Sequence, residues 1–455
     1  MNPADGSVVG EVEEYTQAQV RAAIGRVSEA FGPWSRTLAS ERSAILRRWH
    51  DLVKADTEAF AALMTRENGK CLSEARGEIE YGLGFIEWYA EEAKRVYGDV
   101  IPTHQKDATV LVTKQPIGPV GAITPWNFPF MMITRKVATA LAAGCTVVIK
   151  PPDETPLTAL KLREYAVRAG LPESAFEVVT GDAKMIGGLL TSDPRIMKIS
   201  FTGSTEVGRL LAQQSAPTLK KLTMELGGNA PFLIFDDADV PAAVEGLVAA
   251  KLRNSGQVCI SPNRIYVQDN VFDEVVARLK KKVEAIDVDQ GMQESFVVGP
   301  LINEKGLKKV MILVEDAEKK GATVVLGGKP HAKGGLFYAP TILTDVQDDW
   351  DIARKEIFGP VFVLYRFREE DEAIARANDT EFGLVAYAYT RDLGRAFRLS
   401  KQLDAGMVIL NSGKVGTASV PFGGMKQSGY GREGSFYGIE EYVEVKYVLM
   451  AGQDA

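Results

Sequence analysis

At 455 residues the chain has room for two or three domains of about 150 residues each. Its 45% hydrophobic and 25% charged residues fit an ordinary globular protein and exclude disordered, collagen-like and disulfide-rich classes. A net charge of −7 argues against an electrostatic grip on nucleic acid or anionic lipid, so neither partner is expected. The three cysteines, Cys71, Cys145 and Cys259, are far apart and lack CxxC spacing. A disulfide framework or structural zinc is therefore not expected, and the set suits a reducing cytoplasm. Three scattered histidines leave no metal cluster and no Ser-His-Asp triad, so no metal is assigned. The acidic N-terminus has no apolar core of a secretory signal, and no segment has the roughly 18 apolar residues of a membrane span.

Residues 16–96 read mostly as helix, with apolar residues at helical spacing from Thr16 to Ala30 and from Glu41 to Phe60. The segment 98–116 contains the β-branched run Val110 to Thr113 and predicts an extended ribbon. From 117 short apolar runs alternate with helices: 120–124, 145–149, 176–180, 197–201 and 222–225. Thr155 and Pro156 predict an N-cap and first-turn proline, and Gly170 the end of that helix. This alternation predicts parallel βαβ units covered on both faces, making 117–226 a doubly wound nucleotide-binding region. A second α/β alternation runs from Ala230 to about Gly429. Tyr442 to Val448 reads as a strand that pairs with the one near 110 or with another subunit. The run Lys280 to Lys282 ends an amphipathic stretch, where cations suit a helix C-terminus.

Chemistry concentrates in a few short segments. Cys259, in Gly256-Gln-Val-Cys-Ile-Ser261, is flanked by small polar residues, although an inert buried thiol fits the same spacing. A thiolate nucleophile needs backbone amides or a cation nearby, and no partner histidine is available. Glu225 ends a strand and enters Leu-Gly-Gly-Asn, a turn that suits either a cavity-facing carboxylate or an ordinary surface one. Gly203 to Gly208 follows an apolar run and opens a helix, so it could hold a pyrophosphate. Lys150 ends a strand beside two prolines, within reach of a ribose or phosphate or of solvent alone. Thr124-Pro-Trp-Asn-Phe-Pro129 fixes Asn127, whose amide could serve as an oxyanion donor or a structural turn.

Taken in order, these segments resemble the aldehyde dehydrogenase superfamily over nearly the whole chain. The matching text is TPWNFP at 124–129, KPPDETP at 150–156, FTGSTEVG at 201–208, MELGGNAP at 224–231, GQVCIS at 256–261, EIFGP at 356–360 and PFGGMKQSGYGREG at 421–434. The resemblance implies an α/β fold with three parts. A doubly wound cofactor-binding domain would span 1–97 and 117–226, an α/β catalytic domain 227–433, and a small β oligomerisation ribbon 98–116 and 434–455. It implies a catalytic set of Cys259, Glu225, Asn127 and Lys150. Cys259 would attack the aldehyde carbon, Asn127 and the Cys259 amide would hold the oxyanion, and hydride would leave to a nicotinamide cofactor. Glu225 would then activate water on the thioester. The family's cofactor-contact positions fall on Thr124, Trp126, Asn127, Lys150, Pro152, Asp153, Gly203, Ser204, Leu226, Glu356 and Phe358.

The succinate-semialdehyde dehydrogenase subgroup is similar at MITRKV (132–137), RNSGQVC (253–259) and GREGSFYGIEEY (431–442). Its substrate carboxylate is gripped by two arginines, which fall here on Arg135 and Arg253. The subgroup's further serine contact falls on Gly416, with Thr417 the nearest hydroxyl, which puts tail-length selectivity in question. A second cysteine found in some members is Ser261 here, so a redox-switch disulfide is not expected. The chain starts near the family's first helix, short of its opening hairpin. A carboxylate at Asp153 can accept from a ribose 2′-OH and would repel a 2′-phosphate, so NAD is expected over NADP. The expected partners are a small aldehyde and a second copy in a homodimer or homotetramer. Glutarate semialdehyde, 2-oxoglutarate semialdehyde (which GQVCISPNR resembles) or a neutral aldehyde are the alternative substrates. A non-catalytic binding protein is disfavoured by the intact set, and a CoA-acylating relative by the presence of Glu225.

Overall fold

Two parallel sheets carry the chain, and a narrow antiparallel ribbon stands beside them. The computed structural model describes residues 1–293 and 295–452. Four helices come first: Gln17–Ser35, Ala39–Ala55, Thr57–Asn68 and Leu72–Glu92. Thr16 caps the first through a capping box with Gln19. The pattern from Glu41 to Phe60 predicts one helix, but the structure breaks it at Asp56 (φ −115°, ψ 25°). Asp competes poorly inside helices, and here its carboxylate is taken by Lys161 at 2.8 Å and by the Tyr165 hydroxyl.

The first sheet has the order Gly429–Tyr430, Lys221–Glu225, Lys198–Thr202, Val120–Ile123, Val147–Lys150, Phe176–Val178. Its last five strands are parallel. The chain starts at Val120–Ile123, winds outward to Phe176–Val178, then returns to the other side at Lys198–Thr202. That reversal makes a switch point between the carboxyl ends of Val120–Ile123 and Lys198–Thr202, the place where open α/β sheets bind ligands. The edge strand Gly429–Tyr430 runs antiparallel and joins this sheet, although the sequence grouped it with 227–433. It does so because it pairs directly with Met224 and Glu225.

The second sheet has the order Thr323–Leu326, Thr341–Thr344, Val361–Phe367, Pro262–Gln268, Ala230–Ile234, Val385–Tyr389, Met407–Leu410. Only its first strand runs antiparallel. The ribbon contains Asp99–Ile101, Ala108–Pro116 and Val443–Ala451. The two long strands pair antiparallel from Val443↔Pro116 to Ala451↔Ala108. Residues 453–455, assigned by sequence to the ribbon, lie outside the described residues. Helix Ser435–Glu440, also assigned there, packs instead on the helices Met131–Ala143 and Leu72–Glu92. Helix Asp269–Glu284 does end in Lys281 and Lys282. Among the described residues no helix is long and apolar enough to cross a membrane.

The helix expected from Thr155 begins at Leu157, and Thr155 does not cap it. Its first amides are satisfied from another helix. Glu67 accepts from the backbone N–H of Leu157 at 2.9 Å and of Thr158 at 3.0 Å, and from the Thr158 hydroxyl. Burial pushes the Glu67 carboxyl up to about 7 against these donors. Since the folded value lies above the unfolded one, Glu67 favours the fold most below pH 4.5 and loses that contribution as pH rises through about 7. Glu67→Ala is expected to lower stability by about 1–3 kcal/mol through unsatisfied helix amides, seen as a lower urea midpoint. Glu67→Gln should flatten the pH dependence of that midpoint between 4.5 and 7.

Candidate active site

The residues predicted to hold a cofactor gather around the switch point. A cleft of about 350 Å³ is walled by Trp126, Asn127, Gly203, Ser204, Leu226, Glu356 and Phe358, with Cys259 on the same wall. Gly203 follows the strand Lys198–Thr202, and Ser204 caps helix Thr205–Ser215 by accepting from the Val207 N–H at 3.3 Å. A Cβ on Gly208 would lie 2.4 Å from Leu226, so glycine lets this helix sit close to the sheet. The helix N-terminus presents free N–H groups and a positive dipole end, which suit a pyrophosphate. The hydroxyls of Thr124 and Thr202, at the ends of the two switch-point strands, are buried without a partner. Trp126 and Phe358 meet edge to face, 5.6 Å between ring centres. These features fit a nicotinamide dinucleotide.

Thr124, Lys150, Pro152 and Asp153 lie beside this cleft, not on its wall. Lys150 ends the neighbouring strand and pairs with the exposed Asp153. The cleft also has walls that sequence reasoning missed, including Glu154, Gln257, Asn303, Lys305 and Lys309. Lys305 and Lys309 are four apart on helix Glu304–Lys319 and share a face, a spacing readable only once the helix's inward side is known.

Cys259 sits after a strained turn. Helix Val240–Leu252 ends, and Asn254 (φ 47°), Ser255 (φ 57°) and Gly256 (φ 78°) follow in the left-handed region. Such backbone costs about 1–3 kcal/mol per non-glycine residue and persists only where its surroundings hold it. Glu74 accepts from the Asn254 N–H at 2.7 Å, and the Ser255 hydroxyl donates to Gly299 O at 3.0 Å. The Asn254 amide donates to Asn127 O at 3.1 Å, and Asn127 Nδ2 donates to Gln257 O at 3.0 Å. A Cβ on Gly256 would lie 2.1 Å from Gly359 O, and one on Gly228 2.3 Å from Cys259 O. The turn and the Asn127 loop are thus stitched together, bringing Asn127 and Cys259 to one place. Lys70, fully buried, donates to Asn127 O at 2.7 Å and pairs with Glu78 at 2.5 Å.

Glu225 ends the strand Lys221–Glu225 at 2% exposure, with no hydrogen-bond partner on either oxygen. Burial, then the like charge of Glu433, pushes its carboxyl well up, against Arg135 and Lys136. Glu433 lies 2.5 Å from both Lys136 Nζ and Arg135 Nε, the latter an ion pair without hydrogen-bond geometry. Burial would raise Glu433, but these two cations outweigh it and hold it low. The half-buried Cys259 thiol is pushed up to about 12 by burial and the charges of Glu356 and Glu225, with Arg135 opposing. Burial also lifts Glu356 to about 7, against Lys309, the Gly228 N–H and Lys251.

Cys259 also borders a second space away from the cleft. A small cavity behind it is walled by Arg135, Arg253, Tyr81, Phe128 and Phe422. It shares Tyr81, Phe128 and Arg253 with an outer cavity of about 620 Å³, whose rim carries Gly416 and Thr417. Arg253 lies over the Phe128 ring at 4.6 Å, and among the described residues no acid is within 4.0 Å of it. Arg135 is different: Glu433 takes its Nε, Nη2 faces Met132 Sδ at 3.2 Å, and the buried Nη1 has no partner. The Thr417 hydroxyl shares a hydrogen bond with Ser419 at 2.7 Å.

Comparison with known proteins follows the same line. The model of the aldehyde dehydrogenase family matches residues 1–448. The chain is 52% identical over 451 residues to a glutarate-semialdehyde dehydrogenase of Pseudomonas aeruginosa, covering 99% of this chain and 93% of that one. It is also 52% identical over 449 residues to an NADP(+) succinate-semialdehyde dehydrogenase of Escherichia coli, again 99% and 93% covered. In structure it is similar to succinate-semialdehyde dehydrogenase from Burkholderia pseudomallei, at TM-score 0.98 and 51% identity, covering 99% and 94% of the two chains.

The environments of the three thiols predict their order of reaction. Iodoacetamide is expected to label Cys259 ahead of Cys71 and Cys145, both at 0% exposure. The Cys259 rate should keep rising up to a pH of about 12, because only the thiolate reacts and the thiol is pushed up that far. Peptide mass spectrometry of partly labelled protein reads both.

Proposed function

We propose that this chain, which belongs to the aldehyde dehydrogenase family, oxidises an aldehyde bearing a carboxylate tail, succinate semialdehyde first, to the dicarboxylate. The single observation that carries the substrate reading is Arg253, an unpaired guanidinium walling a cavity that reaches Cys259. The unpartnered Arg135 Nη1 supports it. A guanidinium fork suits a carboxylate and gains nothing from a neutral tail. Glutarate semialdehyde is the second reading, favoured by the open position at Gly416 on the rim of the outer cavity.

In this reading Glu225 takes the proton of the Cys259 thiol and passes it to solvent, while Sγ attacks the carbonyl carbon, forming a C–S bond as the carbonyl π bond opens and its electron pair moves to oxygen. Asn127 Nδ2 and the Cys259 N–H donate to that oxyanion, held there by the hydrogen bonds from Lys70 and Asn254 to Asn127 O. Arg135 is the cation that favours the thiolate. A nicotinamide cofactor held by Trp126, Gly203, Ser204, Leu226, Glu356 and Phe358 would supply the two-electron acceptor for the substrate's hydride. Glu225 takes a proton from the water that attacks the resulting thioester, and the thiolate leaves as the acid forms. Burial raises its pKa, which makes the carboxylate a stronger base toward that water. The oxyanion donors serve again at that second addition.

For the cofactor, NAD is proposed over NADP, because Asp153 places a carboxylate beside Lys150, where a 2′-phosphate would meet like charge. The ribbon's free edge, Val443–Ala451, exposes Val445, Tyr447 and Met450, which supports a homodimer or homotetramer built through it. The three free cysteines support a cytoplasmic setting.

The test of the substrate is Arg253→Ala. It is expected to raise KM for succinate semialdehyde roughly 10- to 100-fold, the worth of a charge-assisted hydrogen bond, with little change for propanal. Equal changes for both aldehydes would overturn the carboxylate reading. Arg135→Ala is a poorer probe, because it would strip buried Glu433 of a partner. For the cofactor, initial rates at about 340 nm, the reduced-nicotinamide absorbance, are expected to give a lower KM for NAD than for NADP. Asp153→Asn should narrow the gap.

A further inference from the structure

The helix Leu72–Glu92 lines the outer cavity with Glu74, Gly77, Glu78, Glu80, Tyr81 and Gly84, of which Glu74, Gly77, Tyr81 and Gly84 recur three or four residues apart along one helical face. Tyr81 is the one residue of that helix that also walls the inner cavity with Cys259 and Arg253. Its ring is fixed against Phe85, 5.0 Å between centres. Its hydroxyl has no hydrogen-bond partner among the described residues. Tyr81 is half-buried on the cavity wall, so its hydroxyl is open to the cavity and not sealed in the core. Opposite it stands Gly416, where a Cβ would lie 3.0 Å from the hydroxyl oxygen and where φ is +78°. Glycine at this point is what leaves the hydroxyl room to face the cavity.

We propose that the Tyr81 hydroxyl is a specificity-determining donor to the carboxylate tail of the substrate, completing with Arg253 and Arg135 Nη1 a three-donor anion site. The inference rests on the carboxylate-tail reading above and adds a neutral donor that no motif comparison assigns. Burial raises the phenol's pKa, which keeps the proton on oxygen at working pH although Arg135 and Arg253 pull the other way. A carboxylate accepts that proton in a hydrogen bond. The methyl end of a neutral aldehyde leaves the hydroxyl unpaired. A site built to hydrogen-bond its substrate rejects an analogue that lacks the partner, so the hydroxyl selects as well as binds. It stands where Gly416 withholds a side-chain hydroxyl of its own, and it reaches the same cavity from the opposite wall.

Tyr81→Phe removes only the oxygen and leaves the ring on Phe85. KM for succinate semialdehyde is expected to rise roughly 10- to 100-fold, the range of one hydrogen bond to a charged group. The kcat should change little, and kcat/KM for butanal should stay within about twofold, since a residue that merely packs the helix would affect both aldehydes alike. Equal losses on both substrates, or an unchanged KM for the semialdehyde, overturns the role of Tyr81. The wild-type enzyme separates this from the underlying reading. If wild type itself shows no preference for succinate semialdehyde over butanal, the carboxylate-tail reading falls and the Tyr81 role with it. If wild type prefers the semialdehyde and Tyr81→Phe keeps the full preference, only the Tyr81 role falls.

Discussion

The helix Met131–Ala143 is buried at every position, yet it carries Arg135 and Lys136. Two cations without solvent must be neutralised inside the protein, because an unpaired buried charge costs several kcal/mol. Glu433 does this from the far end of the chain, one carboxylate for two cations. That leaves local positive charge in excess, and Glu225 and Cys259 both feel it. The same ion pairs anchor the segment that contains Gly429–Tyr430, whose strand pairs with Glu225 itself. One neutralisation therefore ties the C-terminal segment to the first sheet, seats Glu225 at its strand end and aims Arg135 at the cavity behind Cys259.

A second constraint acts on the backbone. Three successive left-handed residues before Cys259 would relax in water, and the structure holds them with bonds from separate elements: Glu74 from an early helix, Asn127 from a loop after the first sheet strand, Gly299 from a later loop. Glycines at 228 and 256 let backbone approach backbone too closely for any side chain. The strain is thus spent on placing a thiol between two cavities, with the cofactor cleft on one side and the arginine-lined space on the other.

The two arginines illustrate how similar residues acquire different duties. Arg253 lies at the end of helix Val240–Leu252, half-buried and unpaired, and is free to meet an anion. Arg135 is locked from one side by Glu433 and can offer only its remaining nitrogen. Sequence spacing treats them alike. Their burial and their partners separate them.

Much of the architecture was determined by sequence alone. Short apolar runs at 120–124, 145–149 and 197–201, alternating with helical stretches, predicted strands buried on both faces, and Ser204 after Gly203 marked a helix start. These are local signals, carried by residues within a turn or two of one another. The order of motifs around Cys259 and Glu225 was likewise legible, though either residue read alone was equally compatible with an inert thiol or a surface acid. Only the tertiary structure decided the rest. Glu67 rather than Thr155 satisfies the helix at Leu157, Glu433 neutralises Arg135 and Lys136 across some three hundred residues, and Gly416 faces the Tyr81 hydroxyl. The sequence could not show these because each depends on which buried group lacks a partner, and in a folded chain that partner comes from whatever segment packing brings near.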